Sequence, residues 1–294
     1  MPSPGYSGVT DRFGNSLCPH PDGASNVYSP PTNLSGMSWE TVTLDVADDG
    51  VATLTVDRPD KLNSLNVTTL EALEEAITEA AKRDARVLVL TGAGEKAFVA
   101  GADIGYMQDL STPEAQAYAE LGHRVADALE SFPAPVIAAV NGYCFGGGCE
   151  LALACDLRVA SERAVLGQTE IDLGIVPGWG GTQRLSRLVD DETARRLVFF
   201  GERVDASDAY ELGLVGELVA HDELEGHVAE MASELAAKPK YALRTAKEAL
   251  NMVHEEPQHA GLQYEKRAWS GLFGTHDQRE GMEAFVEKRD PEFE

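Results

Sequence analysis

The sequence predicts an α/β fold, in which short strands alternate with helices before a C-terminal part that is all helix. Three observations carry this reading. Apolar–polar alternation marks residues 41–46 and 51–56 as half-buried strands. Helically spaced apolar faces then alternate with short apolar runs as far as residue 160. Beyond Thr182 the chain reads as helical to its end. Pattern alone leaves a doubly wound sheet open within this class.

The first 36 residues stand apart. Seventeen of them are Pro, Gly or Ser, a composition that buries too little apolar surface to offset the entropy of ordering. Arg12 against Asp11 and Asp22 leaves them a charge of −1. Met37-Ser38-Trp39-Glu40 directly precedes the first patterned segment, so Met37 is the expected native start and residues 1–36 an expected disordered extension. The strands at 41–46 and 51–56 flank Ala47-Asp48-Asp49-Gly50 and read as a hairpin. Residues 66–82 set Leu70, Leu73, Ile77 and Ala81 on one helical face, capped by Asn66 or Thr68. Residues 87–90 are a short buried strand. Residues 111–132 form a helix with Tyr118, Leu121, Val125, Leu129 and Phe132 on one face, and Glu114 three residues after Ser111 makes a capping box. Residues 136–140 form a strand, a glycine cluster opens a helix, and residues 156–160 form the next strand. The expected division is an extension over 1–36, an α/β core over 37–230 and a helical region over 231–294.

Composition narrows the function. Lys+Arg total 24 and Asp+Glu 49, a formal net charge of −25 over 294 residues. Such a surface repels phosphate backbones and anionic lipid, which argues against nucleic-acid and membrane partners. Only 8 of the cations are Lys and 16 are Arg. Excess carboxylate with scarce Lys is the composition associated with the cytoplasm of salt-accumulating organisms, where salt screens self-repulsion; an acidic protein of an ordinary cytosol is the alternative. Cys18, Cys144, Cys149 and Cys155 form no C-x-x-C pair and read as reduced thiols, three of them buried. His254 and His259 lack the spacing of a two-histidine helical metal site, and no metal is expected. No apolar run approaches the ~20 residues of a membrane span, and no basic-then-apolar secretory signal opens the chain. The expected location is cytoplasmic.

Four segments carry chemistry. The first is Arg58-Pro59-Asp60-Lys61-Leu62-Asn63-Ser64-Leu65-Asn66, after a strand. The second is Ala97-Phe98-Val99-Ala100-Gly101-Ala102-Asp103-Ile104. The third is Asn141-Gly142-Tyr143-Cys144-Phe145-Gly146-Gly147-Gly148-Cys149-Glu150-Leu151-Ala152. The fourth runs from Leu166-Gly167-Gln168-Thr169-Glu170 to Pro177-Gly178-Trp179-Gly180-Gly181-Thr182. Three glycines between a strand and a helix let the backbone approach a ligand, and the first N–H groups of that helix have no internal acceptor. They suit an anion or a developing oxyanion, while Glu150 in the first turn also fits a simple helix start with a capping carboxylate. No Lys-Ser/Thr follows the glycines, which removes a phosphate loop, and the dinucleotide spacing is absent. Ala100-Gly101-Ala102 offers a second exposed N–H with little side-chain bulk. Two convergent N–H donors are what a thioester oxygen needs as it gains enolate charge. Glu150 and Glu170, 20 residues apart, form a carboxylate pair suited to activating water at one carbon and delivering a proton to the next.

Together these segments resemble the crotonase, or enoyl-CoA hydratase/isomerase, superfamily. The resemblance runs from about Thr41 to Phe293 and rests on A-F-x-A-G-A-D-I, N-G-x-x-x-G-G-G-C-E-L-A, G-Q-x-E and P-G-x-G-G-T-Q-R-L. It implies a crotonase-like spiral core of ββα units with a helical C-terminal oligomerisation region, and a homotrimer or dimer of trimers. It places the oxyanion-hole N–H groups at Ala102 and Gly147 and the catalytic carboxylates at Glu150 and Glu170. Lys61, Leu62, Ala100, Ala102, Asp103, Ile104 and Gly147 fall in the loops that hold coenzyme A, and Lys288 falls where some members reach CoA phosphates, often from a neighbouring subunit. Both glutamates together imply an enoyl-CoA hydratase that adds water syn to a trans-2-enoyl-CoA, as in β-oxidation of fatty acids. CoA is then part of the substrate, and no separate cofactor is implied. Double-bond isomerisation or other crotonase chemistry is the alternative, and a non-catalytic, RNA-binding relative a third reading that the acidic helices disfavour. Three positions depart from the common pattern. Trp179 replaces a usually small residue, either narrowing the acyl pocket or packing behind its loop. Gly105 replaces a frequent Lys, and Tyr106 adds an aromatic that suits packing.

Overall fold

The computed structural model describes residues 36–294. The expectations for the extension and for Cys18 lie outside the described residues, Gly36 apart. Strand β1 (Met37–Ser38) pairs with β2 (Val42–Val46), and β2 forms the expected antiparallel hairpin with β3 (Val51–Val56). Val42, Leu44, Ala52, Leu54 and Val56 are fully buried, as period-two alternation requires. A tight turn over Pro59–Lys61 leads to α1 (Val67–Lys82). Of the two candidate caps Asn66 serves: its side-chain oxygen accepts from the Thr69 N–H at 2.9 Å. Strands β4 (Val87–Gly92) and β5 (Ala97–Val99) follow, then the short α2 (Ile104–Met107) and α3 (Thr112–Glu130). At the start of α3 the Glu114 carboxylate accepts from the Ser111 N–H at 2.8 Å, and Tyr118, Leu121, Val125 and Leu129 are buried.

The chain continues through β6 (Val136–Val140), β7 (Tyr143–Phe145), α4 (Gly147–Ala154), β8 (Leu157–Ser161) and β9 (Val165–Gly167). A single 3-10 turn, Glu170–Leu173, precedes α5 (Gly181–Leu188), α6 (Asp191–Phe199), β10 (Arg203–Asp205), α7 (Ala206–Glu211) and β11 (Glu217–Val219). Helices α8 (Leu224–Ala236), α9 (Lys240–Glu255), α10 (Gln258–Gly271) and α11 (His276–Glu287) complete it. Position 230, where the sequence suggested a division, falls inside α8.

Two sheets result. The larger has the order β1-β2-β3-β4-β6-β8-β11 and is parallel from β3 onward; the smaller has the order β10-β9-β7-β5. The pairs β4/β5, β6/β7 and β8/β9 each give one strand to each sheet before the chain turns into helix, which is the ββα spiral. The smaller sheet went unread in the sequence, and β10 and β11 interrupt a stretch that reads as helix. Strands of three residues are too short to establish a period against their neighbours. One core packs α1, α3 and the smaller sheet together; α8 covers the other face of the larger sheet, setting Leu224, Val228 and Ala232 against Val87, Val89, Ile137 and Val159. Lys247 on α9 is 7% exposed. It donates to Asp156 at 2.7 Å and to the Leu129 and Ala134 carbonyls at 3.2 Å each, tying the C-terminal helices to the core.

Candidate active site

The smaller sheet assembles the site. Strands β7 and β9 run parallel with Phe145 opposite Gly167, and the Gly146 N–H donates to the Gly167 carbonyl at 2.9 Å. The turn into α4 and the turn into the Glu170–Leu173 helix therefore lie side by side. This brings together two carboxylates 20 residues apart in sequence. Gly146 sits at φ +48°, and a Cβ there would stand 3.0 Å from Glu170 Oε1. Only glycine meets both conditions.

The two glutamates have different surroundings. Glu150, 2% exposed, accepts at Oε1 from the backbone N–H groups of Trp179 and Gly181, both at 2.7 Å. Burial raises its pKa from the ordinary 4.5, while the two N–H groups pull it back toward the anion. Glu170 is 8% exposed, and the backbone group that pulls it toward the anion is its own N–H. Burial first, and the charge of Glu150 second, push its pKa up to about 7. With its amide nitrogen turned to the carboxylate, Gln168 donates to both Glu170 oxygens at 3.2 Å.

Ala102 and Gly147, the two expected backbone donors, line the same cavity. Leu65 bridges to the strand end at Ala102: the Leu65 N–H donates to the Gly101 carbonyl at 2.9 Å and the Asp103 N–H to the Leu65 carbonyl at 2.7 Å. In a parallel bridge the residue between those two bonds turns its own N–H the other way. That residue is Ala102. Gly147 is the first residue of α4, so its N–H has no helical acceptor. Gly101, at φ +105°, lets the two strands approach: a Cβ there would lie 3.1 Å from the Phe145 carbonyl oxygen.

A cavity of about 540 Å³ collects these groups. Ala100, Gly101, Ala102 and Ile104 line one side, Gly146, Gly147, Glu150 and Glu170 another, and Tyr118, Trp179, Leu173 and Ile175 supply apolar walls. Lys61, Leu62 and Asp103 do not line the cavity but border it. The Ala100 N–H donates to the Leu62 carbonyl at 3.0 Å, which fixes the 58–63 turn beside the site. The Asp103 carboxylate is taken up by Arg58 at 3.1 Å. Lys288 is exposed and caps α11 in the left-handed conformation, outside the cavity.

Sequence reasoning missed two supports. Asn63 is fully buried at φ +57°; its amide nitrogen donates to the Ala93 and Ala97 carbonyls at 3.0 and 2.8 Å, and its oxygen accepts from the Arg58 N–H at 2.9 Å. Tyr118 donates through its hydroxyl to the Leu65 carbonyl at 2.6 Å, holding the strand end that bears Ala102. An Asn in a turn and a Tyr on an apolar helix face carry no sequence signal of such bonds. Trp179 is 4% exposed, and its ring both lines the cavity and packs behind Gly147, so the two readings of this residue combine. Cys144, Cys149 and Cys155 are free and buried. Among the described residues no cluster of three or more His, Cys, Asp or Glu side chains is arranged to hold a metal, and no helix is long and apolar enough to cross a membrane.

Known proteins resemble this chain over most of its length. Residues 47–294 match the family described as enoyl-CoA hydratase/isomerase. The crotonyl-CoA hydratase of Syntrophomonas wolfei is 42% identical over 258 residues, covering 87% of this chain and 99% of that protein. The short-chain-enoyl-CoA hydratase of Clostridium acetobutylicum is 44% identical over 241 residues, covering 81% and 92%. The crystal structure of enoyl-CoA hydratase from Bacillus anthracis superposes with a TM-score of 0.83 at 41% identity, covering 86% of this chain and 99% of that one.

Proposed function

The chain belongs to the enoyl-CoA hydratase/isomerase family and is an enoyl-CoA hydratase, and on that premise we propose that Glu150 and Glu170 divide base and acid over one bound enoyl thioester. The substrate carbonyl oxygen accepts hydrogen bonds from the N–H groups of Ala102 and Gly147. This draws electron density from the conjugated double bond and makes C3 electrophilic. Ionised Glu150 takes a proton from water as the water oxygen bonds to C3. Protonated Glu170 gives its proton to C2, and the enolate collapses to the 3-hydroxyacyl thioester. The proton gained by Glu150 then returns to Glu170 through solvent, which restores the pair. The observation that carries this assignment is the asymmetry of the two carboxylates. Burial raises the pKa of both, but at Glu150 two facing backbone N–H groups pull back toward the anion, while at Glu170 burial and the charge of Glu150 push it up to about 7.

The loops around Lys61, Leu62, Ala100, Asp103 and Ile104 hold CoA in this reading, and Lys288 serves a neighbouring subunit. Assembly as a homotrimer or dimer of trimers is supported by the C-terminal helices, where Leu250, Val253, Trp269, Phe285 and Val286 are at least 65% exposed. The core–C-terminal division, cytoplasmic location and a salt-rich interior complete the proposal, the last resting on the charge of −25. Crotonyl-CoA and a 3-enoyl-CoA, supplied separately, test the function. Hydration of the first supports it; inertness on the first with double-bond migration in the second makes the protein an isomerase.

A further inference from the structure

One wall of the cavity is the side chain of Trp179. The indole of Trp179 fills a slot between α3 and α4 that exists because both helices carry glycine there. A Cβ on Gly122 would lie 2.2–2.4 Å from indole Cε2, Nε1 and Cδ1, and one on Gly147 would lie 2.2–3.1 Å from Cζ3, Cε3 and Cη2. The ring meets Tyr118 edge-on, with centroids 5.3 Å apart and planes at 76°. Tyr118 is itself fixed by its hydroxyl bond to the Leu65 carbonyl at 2.6 Å. The indole is thus held on three sides and 4% exposed. It also lies beside the reacting atoms. Its ring touches Gly147, whose N–H faces the substrate oxygen, and its backbone N–H holds Glu150 at 2.7 Å.

We propose that the Trp179 indole, braced by Gly122, Gly147 and Tyr118, is a stop that limits the acyl chain to a few carbons beyond C3. This rests on the hydratase reading for the position of C3. A chain leaving C3 toward this wall meets an aromatic plane that cannot retreat, because Gly122 and Gly147 back it directly. The stop discriminates by exclusion, and a pocket one or two methylenes too small for its ligand commonly discriminates by tenfold or more.

The test uses the full chain and its Trp179→Ala and Trp179→Leu variants, the second preserving bulk if the first folds poorly. Turnover is read on trans-2-enoyl-CoAs of four, six, eight and ten carbons, and dissociation constants on butyryl-CoA and octanoyl-CoA, which bind without reacting. The expected result is a wild-type preference for the four-carbon over the eight-carbon ligand of at least about tenfold in both measurements. Trp179→Ala should shrink that preference at least about tenfold, and Trp179→Leu should fall between. A wild type that takes eight carbons as well as four, with the chain leaving over Leu173 and Ile175, overturns the stop. So does a preference that neither variant changes. Discrimination in binding without hydration of any chain length overturns the hydratase reading and leaves the stop standing.

Discussion

Replacing Glu150 by Gln isolates its chemistry from its structural part. In the wild type Oε1 accepts two 2.7 Å bonds, from the Trp179 and Gly181 N–H groups, inside a site where Glu150 is 2% exposed. A glutamine keeps one carbonyl oxygen for those donors, so the loop over 178–181 stays in place. Its nitrogen cannot take a proton from water. The loss should therefore fall on turnover: kcat lower by about 10²–10⁴-fold, the range of general acid–base catalysis, with KM within a few-fold. Glu150→Ala makes the contrast. It removes the same base but leaves two buried N–H groups unpaired, at about 1–3 kcal/mol each, and should lower Tm by several degrees where Gln does not. Crotonyl-CoA hydration, followed through the ultraviolet absorbance of the conjugated thioester, reads the rate; thermal unfolding reads the stability. A Glu150→Gln enzyme within about tenfold of wild type in kcat would remove Glu150 from the role of base.

Four further outcomes follow from the same geometry. With Glu170 acting as the acid at a pKa of about 7, kcat should fall as pH rises through neutrality; a rate that keeps climbing there argues against that role. The raised pKa also has a stability consequence. The contribution of Glu170 is fully present below its ordinary 4.5 and lost as pH rises to about 7, so denaturant midpoints should show Glu170→Gln gaining on wild type between about pH 5 and pH 8. Gly146→Ala must place a Cβ at φ +48°, 3.0 Å from Glu170 Oε1; a stability cost of about 1–3 kcal/mol with a large fall in kcat is expected, and a silent substitution would show that this turn does not position Glu170. Arg58→Ala breaks the 3.1 Å pair with Asp103 and the bond to the Ser64 carbonyl, and should raise KM for crotonyl-CoA more than it lowers kcat.

Local structure was legible where a local cause sets it. The hairpin follows from alternation of Val42 and Leu44 with Thr43 and Asp45, and helix α3 from its Tyr118, Leu121, Val125 and Leu129 stripe. The glycines before Glu150 announced a turn into a helix. What escaped was non-local. The strands at 97–99, 143–145, 165–167 and 203–205 owe their pairing to one another, not to three-residue patterns, yet this small sheet aligns Phe145 with Gly167 and so joins the two glutamates. The grip of Trp179 and Gly181 on Glu150 spans 29 and 31 residues and is made by backbone, which every residue type supplies. Asn63 lies within the 58–66 motif, but its part as a buried strut between the 58–63 turn and the carbonyls of Ala93 and Ala97 depends on a left-handed backbone that only the folded chain reveals. Resemblance to a family supplied the pairing of roles that spacing alone left open.

The need for both glutamates in adding water is tested most directly by turning over crotonyl-CoA in ¹⁸O-water and weighing the product. The expected product is 3-hydroxybutyryl-CoA bearing one ¹⁸O at C3, formed by wild type and suppressed at equal concentration in both Glu150→Gln and Glu170→Gln. A product without ¹⁸O, or labelled product formed undiminished by either variant, would contradict the assignment of base and acid.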